Sequence, residues 1–270
     1  MAALELSPAE RPRLVVLGAS NVSRGLARLV AQIERRVPAA DLFVAAGHGR
    51  SYGANSRVWM RRLPSILGCG LWRAVDRTAG DEKRAGAGGP VHGLVTDVGN
   101  DLLYGFASEQ VAGWVRESVR RLTDRGGRVA ITRLPLASIA GVGRARYRAL
   151  RTLFVPGCRL PLADLKAAAA DLDARLVEIA REHAATVIEQ PGGWYGLDAI
   201  HVRRRHLDTL WTQACAAWDL GPPAGRSRRS LGRWAAVGSR AAEVRSLAGV
   251  VRFKPQPVYR SRTGLRLWLY

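Results

Sequence analysis

The sequence predicts an α/β protein of three layers, α/β/α, built on a five-stranded parallel sheet. Three observations predict it. Five short apolar runs, ended by glycine, proline or a polar turn, have the length of buried strands. Longer stretches between them carry apolar residues at helical spacing, and strands alternating with helices argue for a parallel sheet covered on both faces. At 270 residues the chain can bury one good core, with room for an appendage.

The first run, Arg13 to Gly18, is followed by Val22, Leu26, Leu29, Val30 and Ile33 in helical register, with Asn21 where an N-cap would stand. Ser20 therefore falls at a strand-to-helix turn, where helix N–H groups point at whatever binds. Asp41 to Ala46 reads as the second strand and runs into the glycine-rich loop 47–53; a helix is expected over Ala54 to Leu63. Thr78 to Pro90 is polar and glycine-rich and reads as a mobile loop. Val91 to Val98 is the third strand and leads straight into Gly99-Asn100-Asp101. Ser108 to Arg125 is a helix with Val111, Trp114, Val115, Val119 and Leu122 on one face, and Arg128 to Leu134 is the fourth strand, stopped by Pro135. Leu136 to Pro161 is the least regular part, helical only over Tyr147 to Phe154. Leu162 to His183 is an amphipathic helix, Thr186 to Glu189 the fifth strand, and Arg203 to Trp218 the last helix of the domain.

After Asp219 the pattern changes. Gly221 to Gly225 reads as a linker, Arg226 to Ala248 as holding a short basic helix, and Leu265 to Tyr270 as an apolar end. The expected division is a catalytic domain over 1–220 and a basic C-terminal extension over 221–270. No internal repeat is visible.

The formal charge is +20. It suits attraction to an anionic membrane, nucleic acid or acidic substrate. It also suits a composition bias, because lysine occurs only at 83, 166 and 254 and arginine supplies the rest. The charge is uneven: residues 221–270 hold eleven basic residues and one acid, Glu243, a net +10. Bias alone does not explain that shortage of acids. No stretch of about 18 apolar residues exists, so no membrane span is expected. Met1 to Arg13 lacks the apolar core of a secretory signal. Cys69, Cys158 and Cys215 are few and widely spaced, with no metal motif and no disulfide framework, so a reduced, cytoplasmic protein is the expectation.

Four motifs carry the chemistry: Gly18-Ala19-Ser20-Asn21, Gly47-His48-Gly49-Arg50-Ser51, Gly99-Asn100-Asp101 and Asp198-Ala199-Ile200-His201. The first three follow strands, so they fall at the carboxyl edge of the sheet, where such folds bind ligands. Together they offer a nucleophile, two kinds of oxyanion donor, and a base with an orienting carboxylate, the parts needed for acyl transfer through a serine ester. Ser20 alone would suit a cap, and the Asn100 turn alone a loop. Their combination favours chemistry. Of five histidines, His201 has a carboxylate three residues before it in a loop preceding the last helix. His92 and His183 read as structural, His206 as surface, and His48 as a residue beside the site. Tyr104, Trp194 and Tyr195 suit pocket walls or core equally.

At these four motifs the chain resembles the SGNH (GDSL-type) hydrolases, over about residues 13–218 and in that family's order. The resemblance implies a flavodoxin-like sheet, Ser20 as nucleophile, Gly49 and Asn100 as oxyanion donors, His201 as base and Asp198 as its acid. Gly47 and Gly53 are alternatives to Gly49. The first motif departs from the family's usual Gly-Asp-Ser, having Ala19 in place of the Asp, which bears on substrate more than on the triad. The implied function is a serine esterase acting through an acyl-enzyme, on an ester that family members draw from acetylated sugars, short esters, thioesters and lipids. Two rivals stand beside it: an acyltransferase with the same triad, and a non-catalytic binding module with a basic tail. No cofactor or metal is implied, since the glycine spacing is not a dinucleotide fingerprint and neither a Walker lysine nor a His-Glu-x-x-His is present. For the extension, basic charge beside Trp268 and Tyr270 suits an anionic bilayer face, against an ordered segment packed on the domain. Nucleic acid is the weaker partner, because no binding motif accompanies the charge.

Overall fold

The computed structural model describes residues 11–37, 39–58, 61–84, 89–155, 157–224, 231–238, 240, 242–247 and 250–270. Expectations for residues 1–10 and 225–230 lie outside them. The three-layer α/β/α architecture is present. Strands β1 (Arg13–Leu17), β2 (Asp41–Ala45), β5 (Val91–Val95), β6 (Val129–Thr132) and β7 (Thr186–Ile188) pair in parallel in the order β2-β1-β5-β6-β7. Their alternation splits the core. Val15, Leu17, Phe43 and Ala45 face one side, and Leu14, Val16, Leu42 and Val44 the other. The first side is covered by α2 (Leu71–Arg84), α4 (Ser108–Thr123) and α7 (Leu162–Glu182). The second is covered by α1 (Ser20–Glu34), α8 (Leu207–Ala217) and α9 (Leu231–Gly238).

The sheet has seven strands, not five. β11 (Arg266–Leu269) adds to β2 in parallel, and β10 (Tyr259–Arg260) pairs antiparallel with β11. The apolar end of the chain is thus core. Leu265, Leu267, Trp268, Leu269 and Tyr270 are buried, and Trp268 stacks on Phe43 with ring centroids 4.5 Å apart. Arg266 reaches the fully buried Asp41, with Nε 2.6 Å from Oδ1. Trp268 and Tyr270 therefore cannot serve as interfacial anchors, and the last residues of the extension complete the main sheet.

Three local readings are corrected. The helix expected over Ala54 to Leu63 is a hairpin, β3 (Ser56–Val58) and β4 (Arg61–Leu63). It joins β8 (Val244–Leu247) and β9 (Val250–Phe253) in a second, four-stranded antiparallel sheet. A distant partner decides its conformation. Helix α2 runs through most of the stretch read as a loop, buried along Leu71, Trp72, Ala74 and Val75; residues 85–88 lie outside the description. The irregular stretch after Pro135 holds two helices, α5 (Leu136–Ala140) and α6 (Arg144–Phe154). Among the described residues no helix is long and apolar enough to cross a membrane.

Candidate active site

Helix α1 begins at Ser20, so the N-cap position belongs to Ala19 and not Asn21, and no local side chain caps it. The cap comes from Asp97, just past β5. Its Oδ2 accepts from the backbone N–H groups of Ala19 and Asn21, each at 2.9 Å, and of Val22 at 3.3 Å. A carboxylate there satisfies orphan donors and complements the positive helix end. Asp97 itself sits at φ 58°, a left-handed conformation that Asp tolerates better than most residues. Asn21 is freed for a different task. Its Nδ2 donates to Asp97 Oδ1 at 2.7 Å and to the Ile200 carbonyl at 3.1 Å, while its Oδ1 accepts from Val202 N–H at 2.9 Å. The residues on either side of His201 are thus tied to the residue beside Ser20.

The Asp198 loop holds His201, the candidate base. One oxygen, Oδ1, accepts from the N–H groups of Ile200 at 3.1 Å and His201 at 3.3 Å; the other, Oδ2, bonds the His201 Nδ1. Burial pushes the Asp198 carboxyl up, but the His201 hydrogen bond and charge and the two N–H groups outweigh it and hold it below its ordinary value. With Nδ1 engaged by Asp198, the imidazole ring is held in a fixed orientation.

Across the pocket, α3 (Asn100–Leu103) opens directly with Asn100. Its Nδ2 is buried without a hydrogen-bond partner among the described residues. Asp101 is fully buried; its Oδ2 accepts the Tyr52 N–H at 3.1 Å and its Oδ1 has no hydrogen-bond partner among the described residues. Burial pushes the Asp101 carboxyl up to about 6, against the pull of Ser51 and the Tyr52 N–H. The Tyr52 hydroxyl lies 2.7 Å from the Thr96 carbonyl and 3.1 Å from that of Leu17, which pins the glycine-rich loop to the ends of β5 and β1.

Gly49 adopts φ 64°, where a side chain would be strained. Its carbonyl accepts from the Tyr104 hydroxyl at 2.5 Å, which couples its peptide to the Asn100 turn. Gly47 and Gly53 have packing reasons instead: an added Cβ would stand 2.6 Å from Leu63 and 2.0 Å from the Trp114 ring. Arg50 is fully buried and donates to the carbonyls of Pro64, Ala46 and Tyr270, so the same loop holds the C-terminal strand.

Ser20, Asn100 and Asp198 line one pocket, of about 110 Å³. His201 and Gly49 are not among its lining residues: His201 is bonded to Asp198, which is, and Gly49 is bonded to Tyr104, which also lies outside the lining. The rest of the lining is mostly apolar, including Leu102, Leu134, Ile139, Val142, Leu150 and Leu165. The α5–α6 segment forms much of this wall. It is fastened to the base loop by Arg146, which donates to the carbonyls of Leu197 at 2.5 Å and Gly196 at 2.7 Å. Tyr195 lines the pocket and donates to Gln190 at 2.6 Å; Trp194 is buried in the core. His92 is a buried acceptor for the Arg128 N–H, and His206 stacks on Trp194 at 6.0 Å. Among the described residues no group of three or more His, Cys, Asp or Glu could hold a metal ion.

Sequence reasoning missed Asp97, and it named Asp101 within its third motif without giving it a role. The signal for Asp97 was slight: a charged residue closing an apolar strand three residues before Asn100.

The sequence matches no family profile and no curated protein. Among solved structures, the chain is similar to a psychrotrophic esterase, EstA, from Pseudoalteromonas sp., in a structure inhibited by monoethylphosphonate. Identity is 12%, over 77% of this chain and 96% of that one, with a TM-score of 0.43. It is similar to a protein named TesA at 13% identity, over 76% and 97%, with a TM-score of 0.45. A member of the lipolytic G-D-S-L family from Veillonella parvula DSM 2008 matches at 14% identity, over 76% and 96%, with a TM-score of 0.46. At these levels the functional reading rests on the site itself.

Proposed function

We propose that the protein is a serine esterase of SGNH type, acting on a carboxylic ester with an apolar acyl group. The observation that carries this is the bond network joining Asp198, His201 and Asn21 to the Ser20 turn, facing an unpartnered Asn100 amide in the same pocket. His201 takes the Ser20 proton as Oγ attacks the carbonyl carbon. Asn100 Nδ2 and the Gly49 N–H receive the negative charge that develops on the carbonyl oxygen. Collapse expels the alcohol, protonated by His201, and leaves an acyl-Ser20. Water, activated by His201, then releases the acid. Asp198 holds the imidazole tautomer and stabilises the imidazolium.

The apolar lining supports an acyl chain longer than acetyl, since burial of each methylene contributes roughly 0.8 kcal/mol. The test combines two measurements. A fluorophosphonate should label the protein, with the adduct on Ser20 by mass spectrometry. Hydrolysis of p-nitrophenyl esters from acetate upward should rise in kcat/KM through the first several carbons. Absence of labelling and of hydrolysis in the folded protein would refute the esterase reading; labelling with a flat chain-length profile would refute only the acyl assignment.

A further inference from the structure

The second sheet, in the order β3-β4-β8-β9, takes no part in the chemistry above. Its register places Arg57 opposite Arg62, Arg62 opposite Ser246, and Ser246 opposite Val251. Arg57, Arg62 and Val251 therefore share one face, and Phe253, two residues beyond Val251, shares it too. All four are exposed, with Val251 at 53% and Phe253 at 76%. On the opposite face Ser56 is buried and Leu63 packs against Gly47, so the β3–β4 part of that face turns inward, while Val250 and Arg252 of β9 on the same face are exposed. Strand β9 lies at the sheet edge, and its first residue, Val250, and Lys254 just after it are also exposed.

We propose that the outward face of this sheet, carried by Arg57, Arg62, Val251 and Phe253, docks on an anionic lipid surface. Arg57 and Arg62 place two cations on one exposed face, which an anionic plane attracts. Val251 and Phe253 gain from the headgroup–acyl boundary, where apolar side chains leave water while cations stay at the phosphates. A phosphodiester backbone would satisfy the arginines and leave the aliphatic surface in water. The one acid in 221–270, Glu243, has its carboxylate against Gly70, where an added Cβ would be 2.2 Å from Oε2. The hairpin β3–β4 also follows directly on the Gly47–Gly53 loop, so docking brings the proposed oxyanion side close to the lipid. Binding is read without catalysis and does not depend on the esterase assignment.

The full chain is sedimented with vesicles of phosphatidylcholine alone and with phosphatidylglycerol added, and thermal melting checks the fold of each variant. Wild type should bind the anionic vesicles, weakly or not at all the neutral ones, and less tightly as salt is raised. Arg57→Gln with Arg62→Gln should weaken binding about fivefold per charge removed. Val251→Ser with Phe253→Ser should weaken it at high salt as well, where charge is screened. The proposal fails if wild type ignores anionic vesicles, if either folded double variant binds like wild type, or if duplex DNA strips the protein from vesicles at comparable concentration. The last result would give this face to nucleic acid.

Discussion

On the Ser20 side of the pocket Asp97, Asn21 and Asp198 are bonded to protein groups. Asp97 accepts four hydrogen bonds, Asn21 makes three through its side chain, and Asp198 holds His201 while accepting two backbone N–H groups. On the Asn100 side the Asn100 amide nitrogen and one Asp101 oxygen are buried without hydrogen-bond partners among the described residues. Leaving a buried polar group unmade costs roughly 1–3 kcal/mol. The contrast separates two kinds of task. On the proposed mechanism the base must be aimed before the substrate arrives, which fits a His201 held by protein groups. An oxyanion donor meets its partner only once the carbonyl oxygen gains charge, which fits an amide left unsatisfied before that.

The largest effect should come from the Ser20 side. Ser20→Ala is expected to lower kcat by about 10⁶, and His201→Ala by a similar factor. A general base must begin neutral, so kcat/KM should fall at acid pH. Asp198 lies below its ordinary value, so it remains a carboxylate as that limb is entered and should add no inflection of its own before strong acid. Retention of more than a few per cent of turnover in folded Ser20→Ala would remove the nucleophile assignment and the contrast with it.

Next is Asn100. Asn100→Ala should lower kcat by about 10²–10³ with KM little changed. It should leave thermal stability unchanged or slightly improved, because it deletes a buried donor that the folded protein does not satisfy. A stability loss like that of an ordinary buried hydrogen-bonded amide would show a protein partner for Asn100 and break the comparison.

Asp97 sharpens it from the other side. Asp97→Ala withdraws the acceptor from three N–H groups of the nucleophile turn and should cost about 1–2 kcal/mol in stability. Misplacing Ser20 by a fraction of an ångström should cost up to about 10²-fold in kcat and in the rate of fluorophosphonate labelling, with KM little changed. Asp97→Asn keeps an acceptor at the turn and should recover much of that rate. If both variants lower only stability, Asp97 is a cap and nothing more.

The same residues show what a sequence discloses. The strands, the amphipathic helices and the four motifs rest on spacing within one segment, and Ser20, Asn100, Asp198 and His201 all stand at the turns their motifs marked. What was hidden depends on partners far along the chain. The hairpin at 56–63 read as a helix because its strand partner, β8, lies in the extension. The apolar end read as a tail because nothing local to it reveals the vacant edge of β2 that β11 fills. Asp97 acts on Asn21 from 76 residues away, and no period or motif links the two.

The smallest effect on catalysis, and the closest test of the unsatisfied side, belongs to Asp101. Its folded carboxyl is raised to about 6 from 3.8, with burial the chief cause. A raised carboxyl means that the folded state holds its proton more tightly than the unfolded chain. The stability this brings is fully present below the unfolded value and is lost as pH rises through the folded one, at up to about 1.4 kcal/mol per pH unit. Above about pH 6 the wild type therefore carries a buried charge that should cost on the order of 3 kcal/mol. Asp101→Asn keeps an oxygen for the Tyr52 N–H and removes the charge. Its stability relative to wild type should climb between about pH 4 and 6 and then level off, measured by denaturant unfolding across that range. Activity near neutral pH should change by less than about tenfold, because Asp101 reaches the substrate only through Asn100 and the Tyr52 loop. A stability difference independent of pH would mean that Asp101 is ionised as easily in the folded protein as in water, and that the oxyanion side is better satisfied than its geometry shows.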